Sequence, residues 1–169
     1  GRIAAQTAKQ VVLQRLREAE RDLVFDEYAD KKGEVLTATI QRIESRFISV
    51  DLGRADAILP PQEQSQFERY RPGQQLKFYV VDVARTARGP EIVVSRTHPD
   101  LLKRLFEMEV PEIFNGAVEI KAIAREPGSR SKVAVKSLQQ GVDAVGACVG
   151  LRGIRIQNVV NELLGEKID

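Results

Sequence analysis

The chain has 169 residues, of which 43% are hydrophobic and 30% charged, a composition typical of a folded globular protein rather than a disordered one. The net charge of +2 does not by itself indicate a polyanionic partner, and no apolar run approaches the ~20 residues of a membrane span. The single cysteine excludes an internal disulfide and the single histidine leaves little material for a metal site, so we expect a cytoplasmic protein without a membrane partner, a metal or a cofactor.

The first segment, residues 1–32, is predicted to consist mainly of one amphipathic helix. Apolar side chains recur at three- and four-residue steps over 4–25, and charged side chains occupy the opposite face. The helical pattern begins with no capping residue in front of it, which indicates that the chain was cut from a longer one. The sequence DKKGE at 30–34 then ends the helical period.

Residues 33–98 are predicted to form a small closed β-barrel. Five runs alternate between apolar and polar residues, with turn signals between them, at 34–43, 46–52, 55–60, 74–84 and 90–96. Five short strands with a long third connection are typical of a closed Greek-key barrel of the OB type.

The second predicted strand carries a candidate base-stacking residue. Its core face has Ile48, Val50 and Leu52, and its outer face has Phe47, Ser49 and Asp51. An outward aromatic on this strand favours stacking on a nucleic-acid base, and a cap over the barrel end or an interdomain contact is an equal alternative for Phe47. Arg46 beside the first turn and Arg88 in the turn before the last strand are expected to edge the same face.

Residues 99–169 are predicted to form a mixed domain in the order helix, strand, strand, helix, helix, strand. The elements are expected at 96–113, where Pro111 ends the helix, and at 117–126, 131–137, 142–149 and 155–165. A last strand begins at EKID and is cut off. The sequence PGSR between the two strands is predicted to be a hairpin turn. The whole chain is therefore expected to be an α+β protein.

Residues that would carry catalysis are not apparent. The G-x-x-G sequence at 150–153 lacks the following Lys-Ser/Thr of a phosphate-binding P-loop. Cys148 lies in an apolar helical stretch, where a cysteine is usually a small core residue, and His98 precedes a proline with no evident partner. We therefore expect a binding protein and not an enzyme.

The sequence GACVGLRGIRIQNVV at 146–160 joins the last two predicted helices through a turn that contains Gly150 and Gly153. Two glycines allow a ligand to approach the backbone closely, and the start of the second helix favours an anion. Helix, G-x-x-G and helix, placed after two strands, form the arrangement with which a KH module holds about four nucleotides of single-stranded RNA. For the glycines alone, a plain helix–helix turn is the alternative.

The predicted RNA contacts of this domain combine backbone, positive charge and apolar surface. In and beside the turn they are Val149, Gly150, Leu151, Arg152, Gly153, Ile154, Arg155 and Ile156. In the strands they are Arg125, Lys132 and Lys136. The arginines and lysines would face phosphates, and Val149, Ile156 and Val159 would form an apolar groove wall for bases.

Several stretches resemble known families. VGLRGIRIQNVV resembles a KH signature, and RFISVDLGRADAILP with FYVVDVARTARGPEIVVSR resembles an S1 domain. Together with SRTHPDLLKRLFEMEVPEI and EIKAIAREPGSRSKVAVKS, in this order, they resemble the NusA family of bacterial transcription elongation and termination factors over most of residues 33–169. Residues 1–32 are similar to the last helix of the polymerase-binding N-terminal domain of that family.

The resemblance implies an S1-type barrel followed by a first, bacterial-type (type II) KH domain at 99–169. It also implies an RNA-binding factor that associates with RNA polymerase and single-stranded nascent RNA and modulates pausing, termination and antitermination. Other antitermination factors are further implied partners, and a monomer is expected. In this family a second KH domain follows the first, so the chain is expected to be a fragment.

One departure lowers the expected contribution of the barrel. RNA-binding S1 barrels usually carry a second aromatic and a histidine on the third strand, where this chain has Ile58 and Pro60. Phe47, Asp82 and Arg88 match the remaining pattern. The alternative function is an RNA-binding cap or accessory module of an RNA-degrading enzyme, as in exosome-cap proteins. The sequences GACVGLRG and REPGSRSK argue against an exosome-cap protein. Polynucleotide phosphorylase carries the S1 and KH modules in the reverse order.

Overall fold

The computed structural model describes residues 2–169, with side chains from residue 5 onward, so residue 1 of the predicted segment 1–32 lies outside the described residues. In chain order the elements are α1 (Arg2–Ala29), β1 (Val35–Ile43), β2 (Ile48–Asp51), β3 (Asp56–Leu59), β4 (Gln75–Thr86), β5 (Gly89–Ser95), α2 (Pro99–Glu109), α3 (Pro111–Phe114), β6 (Val118–Glu126), β7 (Arg130–Ser137), α4 (Ala144–Val149), α5 (Ile154–Glu162) and β8 (Lys167–Ile168). This order confirms the α+β prediction.

Strands β1 to β5 form a closed barrel in the order β1-β2-β3-β5-β4. All neighbours are antiparallel except β3 and β5, which run parallel and close the barrel. The two long strands, β1 and β4, each carry a register shift, between Ile40 and Arg42 and between Val80 and Asp82. Such irregularities bend a strand, which allows β1 and β4 to pair with neighbours on both sides. The predicted closed five-stranded barrel is therefore confirmed.

Helix α1 extends beyond the predicted 4–25 and lies against β4 and β5. Its C-terminal end is anchored by Tyr28, whose ring belongs to the barrel core and whose hydroxyl donates to the Leu52 carbonyl at 3.2 Å. Further toward the N-terminus, the side chains of Val12 and Leu16 are exposed. No described helix is both long enough and apolar enough to cross a membrane.

The C-terminal domain packs its helices on one face of a three-stranded sheet with the order β6-β7-β8, in which β8 is parallel to β7. Helix α2 supplies four buried side chains, Leu101, Leu102, Leu105 and Phe106. Helix α2 ends before Pro111, as predicted, because Pro111 favours extended backbone in the preceding Val110. The short helix α3, which begins at Pro111, was not predicted. His98 caps α2, since its Nδ1 accepts from the Asp100 amide at 3.0 Å.

A buried arginine joins the barrel to the C-terminal domain. The side chain of Arg96 is 0% exposed and forms an ion pair with Glu68. It also donates to the Lys77 carbonyl on β4 at 2.7 Å and to the Glu162 carbonyl on α5 at 3.0 Å. A charge-assisted network of this kind holds its partners in one geometry, so the barrel fixes where the C-terminal helices lie.

A second buried arginine, Arg125, ties the C-terminal sheet to the segment between the barrel and α2. Arg125 on β6 pairs with Glu166 and donates to the backbone carbonyls of Arg96 and His98 at 2.9 and 2.7 Å. Glu166 also accepts from the Gly128 amide and the Ser131 hydroxyl. We call this set, with its two arginines and the acids Glu68, Glu162 and Glu166, the arginine joint.

Candidate nucleic-acid interface

The turn between α4 and α5, residues 150–153, has an unusual backbone and is called the clamp loop below. Gly150, Arg152 and Gly153 have φ values of 76°, 56° and 76°. Positive φ at three of four consecutive residues lets the chain turn from one helix into the next within very few residues. The Gly153 amide donates to the Gly150 carbonyl at 3.1 Å, which closes the turn on itself.

The two glycines of the clamp loop are required for different reasons. Gly150, with ψ of 175°, occupies a region that only glycine adopts readily, and a Cβ there would lie 2.7 Å from Cγ of Arg155. Gly153, with ψ of 16°, is in the left-handed helical region, and no atom lies within 4 Å of its Cβ position. Only Gly153 therefore leaves open space for a ligand, whereas the space beside Gly150 is filled by the protein itself.

The side chains of the clamp loop point away from the protein. Leu151 is 84% exposed and Ile154 is 59% exposed. Arg152 is exposed and makes no hydrogen bond or ion pair within the described part of the chain. An unpartnered cation beside exposed apolar side chains suits a ligand that has both phosphates and bases.

A groove of about 590 Å³ runs from the clamp loop along the exposed side of α5. It is lined by Leu151, Arg152, Gly153, Ile154, Ile156, Gln157 and Asn158. Ile156 is half-buried and also packs on the domain core, while Val149, another predicted wall residue, is half-buried at the end of α4. The third predicted wall residue, Val159, is only 2% exposed and belongs to the domain core, so it does not line the groove. Gln157 and Asn158 were not predicted to line the groove. They could have been found as a polar pair that follows Ile154 by one helical turn.

Arg155 is not free in the way that the sequence suggested. Its Nη1 lies 2.7 Å from Glu112 Oε2 on α3 and donates to the Ala147 carbonyl at 2.8 Å. The buried Cys148 thiol lies near this pair, and its pKa is raised by burial first and by the Glu112 carboxylate second. The Arg155 guanidinium therefore contacts protein acceptors, and in this structure it is not placed to contact a phosphate.

The strand lysines lie apart from the clamp loop. Val133 and Val135 pack into the core beneath the helices, and Lys132 and Lys136 alternate with them and are exposed. Since successive side chains of a strand point to opposite faces, these lysines occupy the sheet face away from the helices. The structure does not bring them together with the clamp loop.

The structure does not favour the predicted contact between Arg125 and RNA. Its side chain is 2% exposed and belongs to the arginine joint, paired with the fully buried Glu166 at 3.0 Å. A basic residue in a strand of mostly polar residues favoured an exposed side chain at this position, whereas the Arg125 side chain is buried. Sequence alone did not separate the two cases.

The predicted barrel residues occupy two ends of the barrel. Phe47 is half-buried and Arg46 is exposed at the start of β2. Because β3 is antiparallel to β2 and β5 is parallel to β3, the turn before β5 lies at the opposite end, with the exposed Arg88 in a groove against α1. The expectation that Ser49 points to solvent is wrong, since it is 4% exposed and its hydroxyl donates to Gln41 Oε1.

Comparison with protein families divides the chain into three consecutive matches. Residues 1–22 match the NusA N-terminal domain, residues 29–95 match the S1 RNA binding domain, and residues 96–169 match the NusA-like first KH domain. The clamp loop lies within the third match.

Curated relatives are similar over the whole chain and carry one name, "Transcription termination/antitermination protein NusA". The chain is 55% identical to that of Bacillus subtilis (strain 168) over 169 residues, covering 100% of this chain and 46% of the relative. It is 52% identical to that of Thermus thermophilus, covering 99% and 44%. The chain thus spans less than half the length of these two relatives. With three family matches in order and this identity along its whole length, the chain belongs to the NusA family and spans part of its N-terminal domain, its S1 domain and its first KH domain.

Proposed function

We propose that this chain is the RNA-binding segment of a non-catalytic bacterial transcription factor that associates with RNA polymerase and nascent RNA to modulate pausing, termination and antitermination. The observation that carries the proposal is the clamp loop, with open space at Gly153 and an Arg152 that has no partner among the described residues and lies beside exposed apolar side chains. The family name of the relatives supplies the transcriptional context. The proposed unit acts as a cytoplasmic monomer, with other antitermination factors as further partners.

In the proposed mechanism, single-stranded RNA passes over the clamp loop with its backbone toward Gly153. The missing Cβ lets a phosphate approach the start of α5, and Arg152 adds positive charge there. Bases then lie against the apolar groove wall formed by Leu151, Ile154 and Ile156. Because much of this contact is neutral, recognition depends on the shape of the groove more than on net charge.

The barrel has the smaller proposed share of RNA binding. Phe47 offers one partly covered aromatic ring, and Ile58 stands where a second aromatic would continue a stacking surface. The barrel instead orients the RNA path through the arginine joint or contacts polymerase. We propose the division 1–32, 33–98 and 99–169 for the polymerase-side helix, the barrel and the RNA-binding domain.

A charge placed at the open glycine tests the proposal. We expect Gly153→Asp to weaken binding of a fluorescein-labelled single-stranded RNA by at least about tenfold in an anisotropy titration, because a carboxylate would repel the phosphate. Aspartate tolerates left-handed backbone better than most residues, so the fold should persist. A folded Gly153→Asp variant with unchanged affinity would remove the clamp loop from the mechanism.

The matched control is Gly73→Asp. Gly73 also has positive φ, 87°, and no atom lies within 4 Å of its Cβ position, but it lies in a barrel turn before β4. It introduces the same charge and similar backbone strain away from the clamp loop, so we expect nearly unchanged RNA affinity.

Incubating the same labelled RNA with the chain and Mg²⁺ tests whether the chain is non-catalytic. Cleavage of the RNA would favour the alternative of a nuclease module.

A further inference from the structure

We propose that Arg155 is a positioning residue that holds the clamp loop in its RNA-binding shape by acting through Glu112, and that it does not neutralise a phosphate. This inference rests on the proposed RNA binding at the clamp loop. It assigns different tasks to two arginines that are only three residues apart, Arg152 and Arg155.

The first observation is that the guanidinium of Arg155 bridges two elements behind the loop. One nitrogen, Nη1, lies 2.7 Å from Glu112 Oε2 on α3 and 2.8 Å from the Ala147 carbonyl on α4. The Ala147 carbonyl is one of the last in its helix, where backbone acceptors lack intrahelical donors. The side chain thus ties the end of α4 and the start of α5 to α3.

The second observation is that the aliphatic stem of Arg155 supports the backbone of Gly150. The Cβ, Cγ and Cδ atoms of Arg155 lie 2.7 to 3.0 Å from the position that a Gly150 Cβ would occupy. Gly150 is also the residue whose φ and ψ only glycine adopts readily. The stem therefore occupies the space next to the most demanding backbone conformation in the clamp loop.

A second polar contact joins the same two parts of the domain. Asn158, one turn further along α5, donates to Glu109 Oε1 at the end of α2 at 2.7 Å. The start of α5 is therefore braced twice against the corner between α2 and α3. A loop that is already held in its binding shape loses less conformational entropy when it binds, which strengthens binding without a direct contact.

The charge arrangement separates positioning from phosphate contact. Glu112 neutralises Arg155, whereas Arg152 has no partner in the described residues. If Arg155 contacts phosphate, removing Glu112 should free it and strengthen binding. If Arg155 positions the loop, removing Glu112 should weaken binding, although the loss of a carboxylate near RNA would by itself favour it.

The experiment is an anisotropy titration of the full chain with labelled single-stranded RNA over a range of salt concentrations. We expect Glu112→Gln to weaken binding about threefold and Arg155→Gln about tenfold, with Arg155→Lys between wild type and Arg155→Gln. In the double variant the two losses should be less than additive, because both remove the same brace.

Two controls complete the design. Glu107→Gln removes a carboxylate from a comparable exposed pair, Arg104–Glu107, away from the clamp loop, and should leave affinity nearly unchanged. Arg152→Gln should flatten the plot of log affinity against log salt by about 0.7, the value for one phosphate of a single strand, whereas Arg155→Gln should leave that slope unchanged.

The proposal is overturned if Glu112→Gln strengthens binding, if Glu112→Gln and Arg155→Gln both leave affinity unchanged, or if Arg155→Gln flattens the slope as much as Arg152→Gln. Should Arg155→Gln not fold, Glu112→Gln alone decides by the direction of its effect. Failure of the proposed function is distinct, because then the wild-type chain would not bind, or Gly153→Asp would bind as well as wild type.

Discussion

The arginine joint and the clamp loop use the same residue type for opposite purposes. In the joint, Arg96 and Arg125 have almost no exposed surface, and each meets two backbone carbonyls and at least one carboxylate, Glu68 and Glu162 for Arg96 and Glu166 for Arg125. In the clamp loop, Arg152 is exposed and meets no acceptor in the part of the chain described. A buried charge is costly without its partners, whereas an exposed charge without protein partners is available to a ligand.

Between these extremes lies Arg155, which is partly exposed and has a carboxylate partner on α3. Its intermediate environment is the reason for assigning it a positioning task. In this chain, the number of protein acceptors around a guanidinium separates the structural arginines from the one that we propose to bind RNA.

Removing the buried arginine of the joint should have the largest effect. We expect Arg96→Ala to lower the free energy of unfolding by about 3–5 kcal/mol, because it leaves Glu68 buried without its partner. Urea unfolding followed by circular dichroism measures this loss. Arg152→Ala is the matched control and should stay within about 0.5 kcal/mol of wild type, as exposed substitutions usually do.

A loss below about 1 kcal/mol for Arg96→Ala would contradict the structural role of the joint. The double variant Arg96→Met with Glu68→Gln sharpens the test, since removing both charges together avoids the unpaired carboxylate. We expect this double variant to recover part of the lost stability.

Reversing the charge of the clamp loop should remove RNA binding while leaving stability nearly unchanged. In the double substitution of Leu151 and Arg152 to Asp, one cation and one apolar contact are replaced by two carboxylates that face the phosphates. Both side chains are exposed, so the folded state has little to lose. We expect affinity for single-stranded RNA to fall by roughly 2–3 kcal/mol, or about a hundredfold, in the anisotropy titration.

The double variant also completes the contrast with the joint. Arg96→Ala should mainly lower the free energy of unfolding, whereas the double variant of the clamp loop should lower only the affinity for RNA. If the loop variant unfolded at much lower urea concentration than wild type, the clamp loop would be a structural element rather than a binding one.

Much of the fold followed from the sequence, because the strand alternation and the turn glycines report local conformations. The barrel strands and the helix–turn–helix around 150–153 are of this kind. The end of α2 before Pro111 also followed from a local signal, whereas the four-residue helix α3 that begins at Pro111 was not predicted.

The roles of the arginines did not follow, because their partners are distant in sequence. Arg96 meets Glu68 and Glu162 at separations of 28 and 66 residues, and Arg125 meets Glu166 at 41. A strand or helix pattern indicates which face a residue occupies but not which distant acid a long side chain reaches. Arg125 and Arg152 were therefore equivalent by sequence, and only the fold separates them.

The barrel face should contribute less to RNA binding than the clamp loop. Phe47→Ala is expected to cost about 1 kcal/mol of RNA affinity, the low end of the range for one stacked base, because the ring is half-buried and Ile58 extends no aromatic surface beside it. Titration of the same labelled RNA provides the measurement. A loss greater than that of Gly153→Asp would make the barrel the main RNA site.

The smallest expected effect is on the salt dependence of binding. Single-strand binding loses about 0.7 in the log–log slope for each phosphate neutralised. The net charge is +2, and Arg155, Arg125 and Arg96 are all neutralised by carboxylates within the protein. A four-nucleotide contact made largely by backbone and apolar groups should therefore give a shallow slope, on the order of −2 to −3. Arg152→Ala should flatten it by a little under one, whereas a steep wild-type slope with no change in this variant would mean that scattered surface lysines, such as Lys132 and Lys136 on the far face of the sheet, hold the RNA as a general polyanion.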